Sequence, residues 1–430
     1  MKKILAIIAA AAMLCACSED RSHILKVYNW ADYIDEELLG EFEQWYEQET
    51  GEPVKIIYQT FDINETMLSK IELGHEDYDV ICPSDYIIER MLEKDLLLPI
   101  NKDFGSTTNY LDGVAPFMQG LMSNVEAHGK DANDYAVPYM WGTTGIIYNP
   151  KYVTDEEAQS WEVLRNPKFA GKILMKDAFR DVYTSLLIAI NKDAIASGEK
   201  SINSIALDSS DESIAKVEAY LNSFKDGVAG WEADFGKEQM TKERAWINLS
   251  WSGDAQWAID EAAEMGVELR YAVPKEGSTV WFDGWLIPKY AKNAKAASYF
   301  INFLCKPENA VRNMDVIGYV SALGGDEILS EMEDPDSFGP LDATYFFGEK
   351  ADSVCLNPVM YPDASVIARC GMMHDSGDRT EALMKMWSRV KGDNANVWTY
   401  VLVGGVVVIL GALVAIRLTS GKRKKHGRRK

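Results

Sequence analysis

Carboxylates and aromatic side chains recur where the predicted strands of this 430-residue chain end. In the stretch "VYNWADYID", Trp30, Asp32 and Tyr33 stand close together where a strand gives way to a helix. Similar groups follow later strands, and their members are Ser84, Tyr86, Asp177, Asp181, Trp251, Asp254, Trp281, Asp283 and Tyr319. Such side chains can plug the end of a core, or they can line a site for a cation.

As a set, these residues suit a flexible chain of methylene groups that carries ammonium groups. Aromatic rings bury the methylenes and attract the cation, at about 0.5–2 kcal/mol per contact. Carboxylates replace the water that each ammonium loses, because an unpaired buried charge is very costly. A single aromatic residue is more often part of the core, whereas aspartate is almost never fully buried unless it is paired.

Motifs for other chemistry are absent from the sequence. It contains no H-E-x-x-H and no paired C-x-x-C, so we expect no metal site. It contains no G-x-S-x-G elbow and no phosphate-binding glycine loop. We therefore expect a binding protein without a cofactor. Paired carboxylates beside aromatic rings also occur in glycosidase clefts, which is the enzyme alternative.

Alternating strands and helices must position these residues. "ILKVYNW" is predicted to be a strand, and the next helix begins near Asp35 and ends at Gly51. The alternation continues through the strands "PVKIIYQTF" and "YDVICP" and returns in "GKILMKD", "RAWINLSW" and "LRYAVP". This rhythm predicts an α/β fold with a mostly parallel sheet, whose ligands bind beyond the carboxyl ends of the strands. The length predicts two lobes.

Both ends of the chain have the pattern of membrane-targeting segments. Residues 1–16 form a predicted signal peptide. Cys17 ends a sequence that resembles a bacterial lipobox, so we expect it to carry a lipid. It would begin a linker, 17–23. Residues 397–416 are 20 uncharged residues, enough for one transmembrane helix, and follow a linker, 392–396.

The last segment, 417–430, carries eight Lys and Arg and no acid. The positive-inside rule therefore predicts a basic cytoplasmic tail and places the rest of the chain outside the cytoplasm. We expect a protein of the cell membrane whose binding domain lies on the periplasmic side.

The charge of the chain excludes some partners. The formal net charge is −22, and the tail with Lys2 and Lys3 contributes +10, so the remaining residues carry −32. Such a surface repels nucleic acid and anionic substrates and attracts cations.

Four cysteines remain beyond the processed N-terminus, in a compartment where a disulfide can persist. Cys82, Cys305, Cys355 and Cys370 allow three sets of two bridges. Cys355 with Cys370 is the favoured pair, because both lie in a loop-rich region near the C-terminus.

Eight blocks of the sequence resemble the spermidine/putrescine-binding proteins of bacterial polyamine ABC transporters. They recur in order between Leu25 and Val390, about 85% of the chain. The blocks are "VYNWADYI", "YDVICPSDY", "LLLPINK", "YAVPYMWGTTGIIYN", "SWEVLRNPKFAGKILMKDAFRDVY", "WSGDAQW", "VPKEGSTVWFDGWLIP" and "ENAVRNMDVIGYVSAL".

The resemblance implies a two-lobed type II periplasmic-binding-protein fold, here followed by one C-terminal transmembrane helix that the soluble members lack. Residues 24–138 and 283–322 would form lobe 1, and residues 139–282 and 323–391 would form lobe 2. The crossings between lobes are expected near 138–142, 278–283 and 322–326.

The resemblance also implies roles for the candidate residues. An aromatic box would comprise Trp30, Tyr33, Tyr86, Trp251, Trp281 and Tyr319. Carboxylates for the amines would be Asp32, Asp181, Asp254 and Asp283, with a hydrogen bond from Ser84. Ala31 stands where relatives commonly have Ser or Thr. Asp181 stands where Glu is usual, after a one-residue insertion, so Asp177 could take its place.

The implied function is the capture of spermidine or putrescine and its delivery to the subunits of an ABC permease. The bulky Tyr86 and Trp281 resemble the spermidine-preferring branch, so spermidine is the favoured ligand. Two alternatives keep the fold. One is a membrane-tethered solute sensor, which would need a signalling partner because the tail is too short for an output domain. The other is a binder of a different small cation or of a sugar.

Overall fold

The computed structural model describes residues 21–233 and 235–392. Its strands, numbered β1 to β14 in chain order, are Ile24–Trp30, Lys55–Phe61, Val80–Ile81, Leu97–Leu98, Glu126–Ala127, Lys130–Asp131, Ala136–Tyr148, Ile173–Lys176, Val228–Glu232, Ile247–Trp251, Arg270–Ala272, Ser278–Pro288, Val320–Ser321 and Cys370–Met372. Its α-helices, numbered α1 to α17, are Glu37–Thr50, Asn64–Glu72, Asp85–Glu93, Pro116–Ser123, Asp155–Ala158, Phe179–Ile190, Lys192–Ala196, Ile202–Ala206, Asp211–Asn222, Gly236–Thr241, Ser252–Glu264, Ala294–Leu304, Pro307–Ile317, Asp326–Met332, Thr344–Phe347, Ala364–Ile367 and Thr380–Lys391.

One large sheet runs through the described chain, in the order β2-β1-β3-β12-β7-β10-β8-β9. At one end β1 pairs parallel with β2 and β3, and at the other β8 pairs parallel with β9 and β10. The two middle strands, β7 and β12, are antiparallel to each other and buried along their whole length. The expected parallel pairing therefore holds within each end, and two long antiparallel strands join the ends.

Separate apolar cores lie at the two ends of this sheet, so the two-lobed α/β architecture is confirmed. The first lobe has one core, in which residues of β1, β3, α1, α3 and α12 pack together. The second lobe has two, because successive side chains of a strand point to opposite faces. Ile146 of β7 belongs to the core that includes α6 and α9, and Ile147 belongs to the core that includes α10 and α11.

Residues 323–391 depart from the expected lobe division. We expected 323–391 in lobe 2, after a crossing at 322–326. Instead the buried apolar residues from Leu323 to Met372 join the core of the first lobe, and only those of α17 join the second. The buried apolar side chains of this segment thus extend the core of the first lobe, where Phe346 stacks on Trp141. Gly371 of β14 also faces Ile188 and Ile202 of the second lobe.

Local signals near the first strand were interpreted correctly. Helix α1 ends at Gly51, whose φ of 72° is the left-handed conformation that glycine adopts without strain. The Asp35 carboxylate accepts a hydrogen bond from the Glu37 N–H at 3.0 Å, just before the helix. "YDVICP" forms a shorter strand than expected, with only Val80–Ile81 in the ladder.

The favoured disulfide is not formed, since the four described cysteines are free. Cys370 is held in the ladder opposite Ser278, and its thiol faces the Val366 carbonyl at 3.4 Å. Cys355 follows a separate bridge between Leu341 and Val354. The two backbones are fixed by different pairings, which is why a shared loop region was a poor guide.

The predicted signal peptide, Cys17, the linkers' outer ends, the transmembrane helix and the basic tail lie outside the described residues. Within 21–233 and 235–392, none of the helices has both the length and the apolar character that a membrane crossing requires.

Candidate binding site

Three helices begin at the boundary between the lobes, and each brings acidic residues to it. Helices α3, α6 and α11 follow the strands β3, β8 and β10. Asp85, Asp181 and Asp254 lie in their respective first turns, and Ser84 is the N-cap residue of α3. The positive end of a helix dipole favours a carboxylate at this position. The local sequence therefore gathers acids at one place even though their strands are far apart in the chain.

Asp283 reaches the same place from a different element. We expected it at a strand end, but it lies inside β12, where the pairing register with β7 shifts between Asp283 and Gly284. Its backbone forms an isolated bridge with Ser84. Its Oδ2 accepts a hydrogen bond from the Tyr33 hydroxyl at 2.8 Å. The irregularity places this carboxylate between the lobes, which β7 and β12 both join.

Asp181 and Asp283 are buried carboxyl groups that form no ion pair among the described residues. The charges of nearby Arg180 and Lys176 still act on Asp181 and lower its pKa against the effect of burial. Each is 8% exposed. Burial raises the pKa of Asp181 to about 6, against a hydrogen bond from the Trp251 indole N–H at 2.8 Å. Burial also raises the pKa of Asp283 to about 6, and the charge of Asp181 adds to that shift. Two such groups favour a cationic ligand, because a cation lowers the cost of ionising both.

Asp254 has a different environment, because Lys176 already neutralises it. The Lys176 ammonium, at the end of β8, lies 2.6 Å from Asp254 Oδ2 and 3.3 Å from Glu232 Oε1. It is fully buried and also lies over the Trp251 ring, 4.4 Å from the centroid. The nearby lysines lower the pKa of Asp254 against the effect of burial, so this carboxylate is ionised in the folded chain.

Three of the predicted aromatic residues form a connected wall. The Tyr33 and Tyr319 rings meet edge to face at 5.3 Å, and the Trp281 ring lies 5.8 Å from Tyr319. The Tyr319 hydroxyl donates to Asp254 Oδ1 at 2.9 Å, which links the two lobes. Trp30, at the end of β1, is half-buried and packs on Phe61 instead.

Tyr86 belongs to the same region, but its ring faces a cation of the protein. The Arg180 guanidinium of α6 lies over it, 4.1 Å from the ring centroid. Arg180 also forms an ion pair with Glu65 of α2 in the first lobe. Asn64 donates to the Tyr86 hydroxyl at 2.9 Å and to the Ser84 hydroxyl at 3.0 Å.

Two candidate acids lie apart from this group. Asp32 is exposed and has a positive φ of 52°, beside the exposed Ala31, so it lies at the rim. Asp177 accepts hydrogen bonds from the Trp387 indole at 2.7 Å and from Lys391 at 2.8 Å, both on α17. Asp177 is thus held by the C-terminal helix and does not replace Asp181.

Sequence reasoning missed three residues of the site: Lys176, Arg180 and Asp85. A lysine that ends the apolar run "KILMK" was a usable signal, because a charge on a buried strand needs a partner. Asp85 is fully buried, and burial raises its pKa well above the usual value. No sequence pattern distinguished it from Asp32.

Two other kinds of site find no support in the described residues. The described residues contain no group of His, Cys, Asp and Glu that could hold a metal ion. A surface depression of about 770 Å³ on the second lobe contains acids that are paired with Lys151 and Arg270, and no candidate residue lines it.

Known proteins resemble this chain along most of its length. A model of the bacterial extracellular solute-binding protein family matches residues 42–325. The spermidine/putrescine-binding periplasmic protein of Escherichia coli (strain K12) is 27% identical over 395 residues, which cover 91% of this chain and 98% of that protein.

The relatives include a putrescine-binding periplasmic protein of Pseudomonas aeruginosa (strain UCBPP-PA14), 27% identical over 399 residues, or 91% of this chain and 98% of that protein. Among solved structures, the substrate-binding protein of a spermidine/putrescine ABC transporter from Streptococcus pneumoniae is similar with a TM-score of 0.62. It is 28% identical, and the match covers 86% of this chain and all of that one.

Proposed function

The chain belongs to the bacterial extracellular solute-binding protein family, and we propose that it captures a polyamine outside the cytoplasm and delivers it to the permease of an ABC transporter. Members of this family bind solutes, so the cleft between the lobes is a binding site and not a catalytic one. The polyamine-binding proteins among its relatives support the choice of ligand.

The observation that carries this proposal is the pair of buried carboxyls, Asp181 and Asp283, beside the wall formed by Tyr33, Trp281 and Tyr319. A ligand with ammonium groups separated by methylenes would ionise both acids and cover the rings. Micromolar affinity requires about 8 kcal/mol net, which two paired ammoniums and a buried alkyl chain can supply.

Calorimetric titration of the purified full chain with putrescine and spermidine tests this function. We expect binding in the micromolar range or tighter, which Asp283→Asn reduces by at least tenfold. Asp177→Asn is the matched control, because Asp177 is an aspartate held outside the cleft by Lys391. A folded sample free of carried-over ligand that gives no heat with either amine would remove the assignment.

We further propose that the protein is held at the membrane from both ends. The support is the sequence pattern alone: a signal peptide at 1–16, a lipid on Cys17, a spanning helix at 397–416 and a basic cytoplasmic tail at 417–430. A single lipid chain anchors only weakly, whereas a spanning helix is effectively permanent.

Two tethers would keep the binding protein beside its permease and raise its effective concentration there. Deletion of 397–430 should therefore reduce uptake when the polyamine is scarce and have little effect when it is abundant. Uptake assays at both concentrations, with equal amounts of each protein, would show this. Equal uptake at low polyamine would contradict the role of the tether.

A further inference from the structure

The protein's own ammonium group occupies one end of the cleft. Lys176 is fully buried, with its Nζ 2.6 Å from Asp254, 2.7 Å from the Ala233 carbonyl and 3.3 Å from Glu232. The same ammonium lies 4.4 Å from the centre of the Trp251 ring. A carboxylate and an aromatic face are the two contacts expected for an ammonium group of the ligand.

A second internal cation covers another predicted contact. The Arg180 guanidinium lies over the Tyr86 ring and pairs with Glu65 across the cleft. Tyr86 is one of the two bulky residues that favoured spermidine, and its ring face is therefore not available to the ligand in this conformation.

The carboxylates of the cleft that have no cation of the protein as a partner limit the number of ammonium groups that the cleft can hold. Asp254 is paired, and Asp32 is exposed at the rim, where an ion pair contributes little. Asp181 and Asp283 each remain 8% exposed and form no ion pair within the described part of the chain, whereas Asp85 is fully buried and cannot contact a ligand in this conformation. The cleft thus offers two anionic positions for a desolvated ligand.

We propose that Lys176 determines which polyamine the cleft prefers, an inference that rests on the proposed polyamine-binding function. The Lys176 ammonium takes the place of a ligand amine beside Asp254 and Trp251. The cleft therefore binds a diamine more tightly than a triamine. A third ammonium of a longer ligand would meet the Lys176 charge instead of a free carboxylate. Lys176 cannot leave this position without cost, because the buried Glu232 would lose its ion pair and Asp254 would keep the more distant Lys237, at 3.5 Å.

The test is calorimetric titration of the full chain with putrescine as the diamine and spermidine as the triamine. The wild-type chain should bind putrescine at least tenfold more tightly than spermidine. Lys176→Met should shift that ratio at least tenfold towards spermidine, because it removes the nearest cation from Asp254 and leaves Lys237 at 3.5 Å. Lys172→Met is the matched control, since Lys172 also lies over an indole ring, that of Trp246, outside the cleft, and should leave the ratio unchanged.

A second comparison does not depend on the folding of the Lys176 variant. Asp283→Asn should weaken putrescine binding at least tenfold more than Asp254→Asn does. In the Asp254→Asn variant, Lys176 keeps Glu232 as its ion-pair partner. A wild-type preference for spermidine, or an equal loss in the two aspartate variants, would overturn this inference and leave the polyamine function standing. Absence of binding to both amines would instead remove the proposed function itself.

Discussion

We expect two aspartates, Asp181 and Asp283, to set the pH range in which the proposed site can hold a dication. Burial raises the pKa of each to about 6, so both are ionised at pH 7.5 and largely protonated at pH 5. A ligand with two ammoniums needs both carboxylates, and each pH unit below the pKa costs about tenfold in affinity per group. We expect polyamine affinity to fall by roughly tenfold to a hundredfold between pH 7 and pH 5.

Titrations across this pH range measure the effect, and binding near pH 6 should release about one proton, because two half-protonated groups lose theirs. Asp283→Asn should reduce the pH slope to that of a single group. An affinity that stays constant from pH 7 to pH 5 would show that neither carboxyl titrates on binding.

The same two groups cost stability in the ligand-free protein. An aspartate whose folded pKa is about 6 and whose unfolded pKa is about 3.9 binds protons more tightly when folded. Its cost is fully present above pH 6 and disappears as the pH falls through about 4.

Asp283→Asn should therefore raise the free energy of unfolding of the ligand-free chain at pH 7.5, by about 1–3 kcal/mol. Denaturant unfolding at pH 7.5 and at pH 4 measures this, and the gain should vanish at the lower pH. A loss of stability at pH 7.5 would mean that the hydrogen bond from Tyr33 outweighs the burial of the charge.

At the scale of elements, Gly253 in the first turn of α11 allows a close contact between the two lobes. A Cβ at this position would lie 2.4–2.5 Å from ring atoms of Tyr319. The absence of a side chain lets that ring approach the helix and donate its hydroxyl to Asp254. The position of Tyr319 thus depends on the glycine at 253.

Gly253→Ala should displace Tyr319 and weaken polyamine binding by roughly tenfold, equivalent to about 1.4 kcal/mol. Gly40→Ala is the matched control, because Gly40 lies in helix α1 with no atom within 4 Å of its added Cβ. Calorimetry of both variants makes the comparison. Unchanged affinity in Gly253→Ala would show that the Tyr319 contact does not matter for binding.

At the scale of the whole molecule, the Arg180–Glu65 ion pair spans the cleft and joins α6 of the second lobe to α2 of the first. Closure of two lobes around a ligand is a hinge motion, and ion pairs between the lobes change the ratio of open to closed molecules. Here β7 and β12 join the lobes, so small changes in their backbones can open the cleft.

Glu65→Gln should favour the open form of the ligand-free chain, because a pair of about 1 kcal/mol changes the ratio of open to closed molecules roughly fivefold. Small-angle scattering should then give a larger radius of gyration for this variant. Glu72→Gln is the control, since Glu72 lies on the same helix and pairs with Lys94 within the first lobe. Equal radii in both variants would count against the contact as a latch.

Much of the local structure and the family could be predicted from the sequence. The strand before Trp30, the helix that ends at Gly51 and the helices after β8 and β10 depend on neighbouring residues, so periodicity and capping suffice to find them. The third crossing between lobes could not be predicted, because it depends on whether Phe346 and its neighbours pack on Trp141. Nothing local distinguishes that packing from its alternative.

By itself, the sequence predicted a set of aspartates and aromatic rings at strand ends, in a chain that resembles polyamine-binding proteins. Only the tertiary structure decided which of those groups remain for a ligand. Lys176 neutralises Asp254, Arg180 covers Tyr86, and Asp177 is held by Lys391. Asp181 and Asp283 stay buried and form no ion pair among the described residues. The physical reason is that a charge acts over a few ångströms in space, and the partners of these residues come from distant strands and helices.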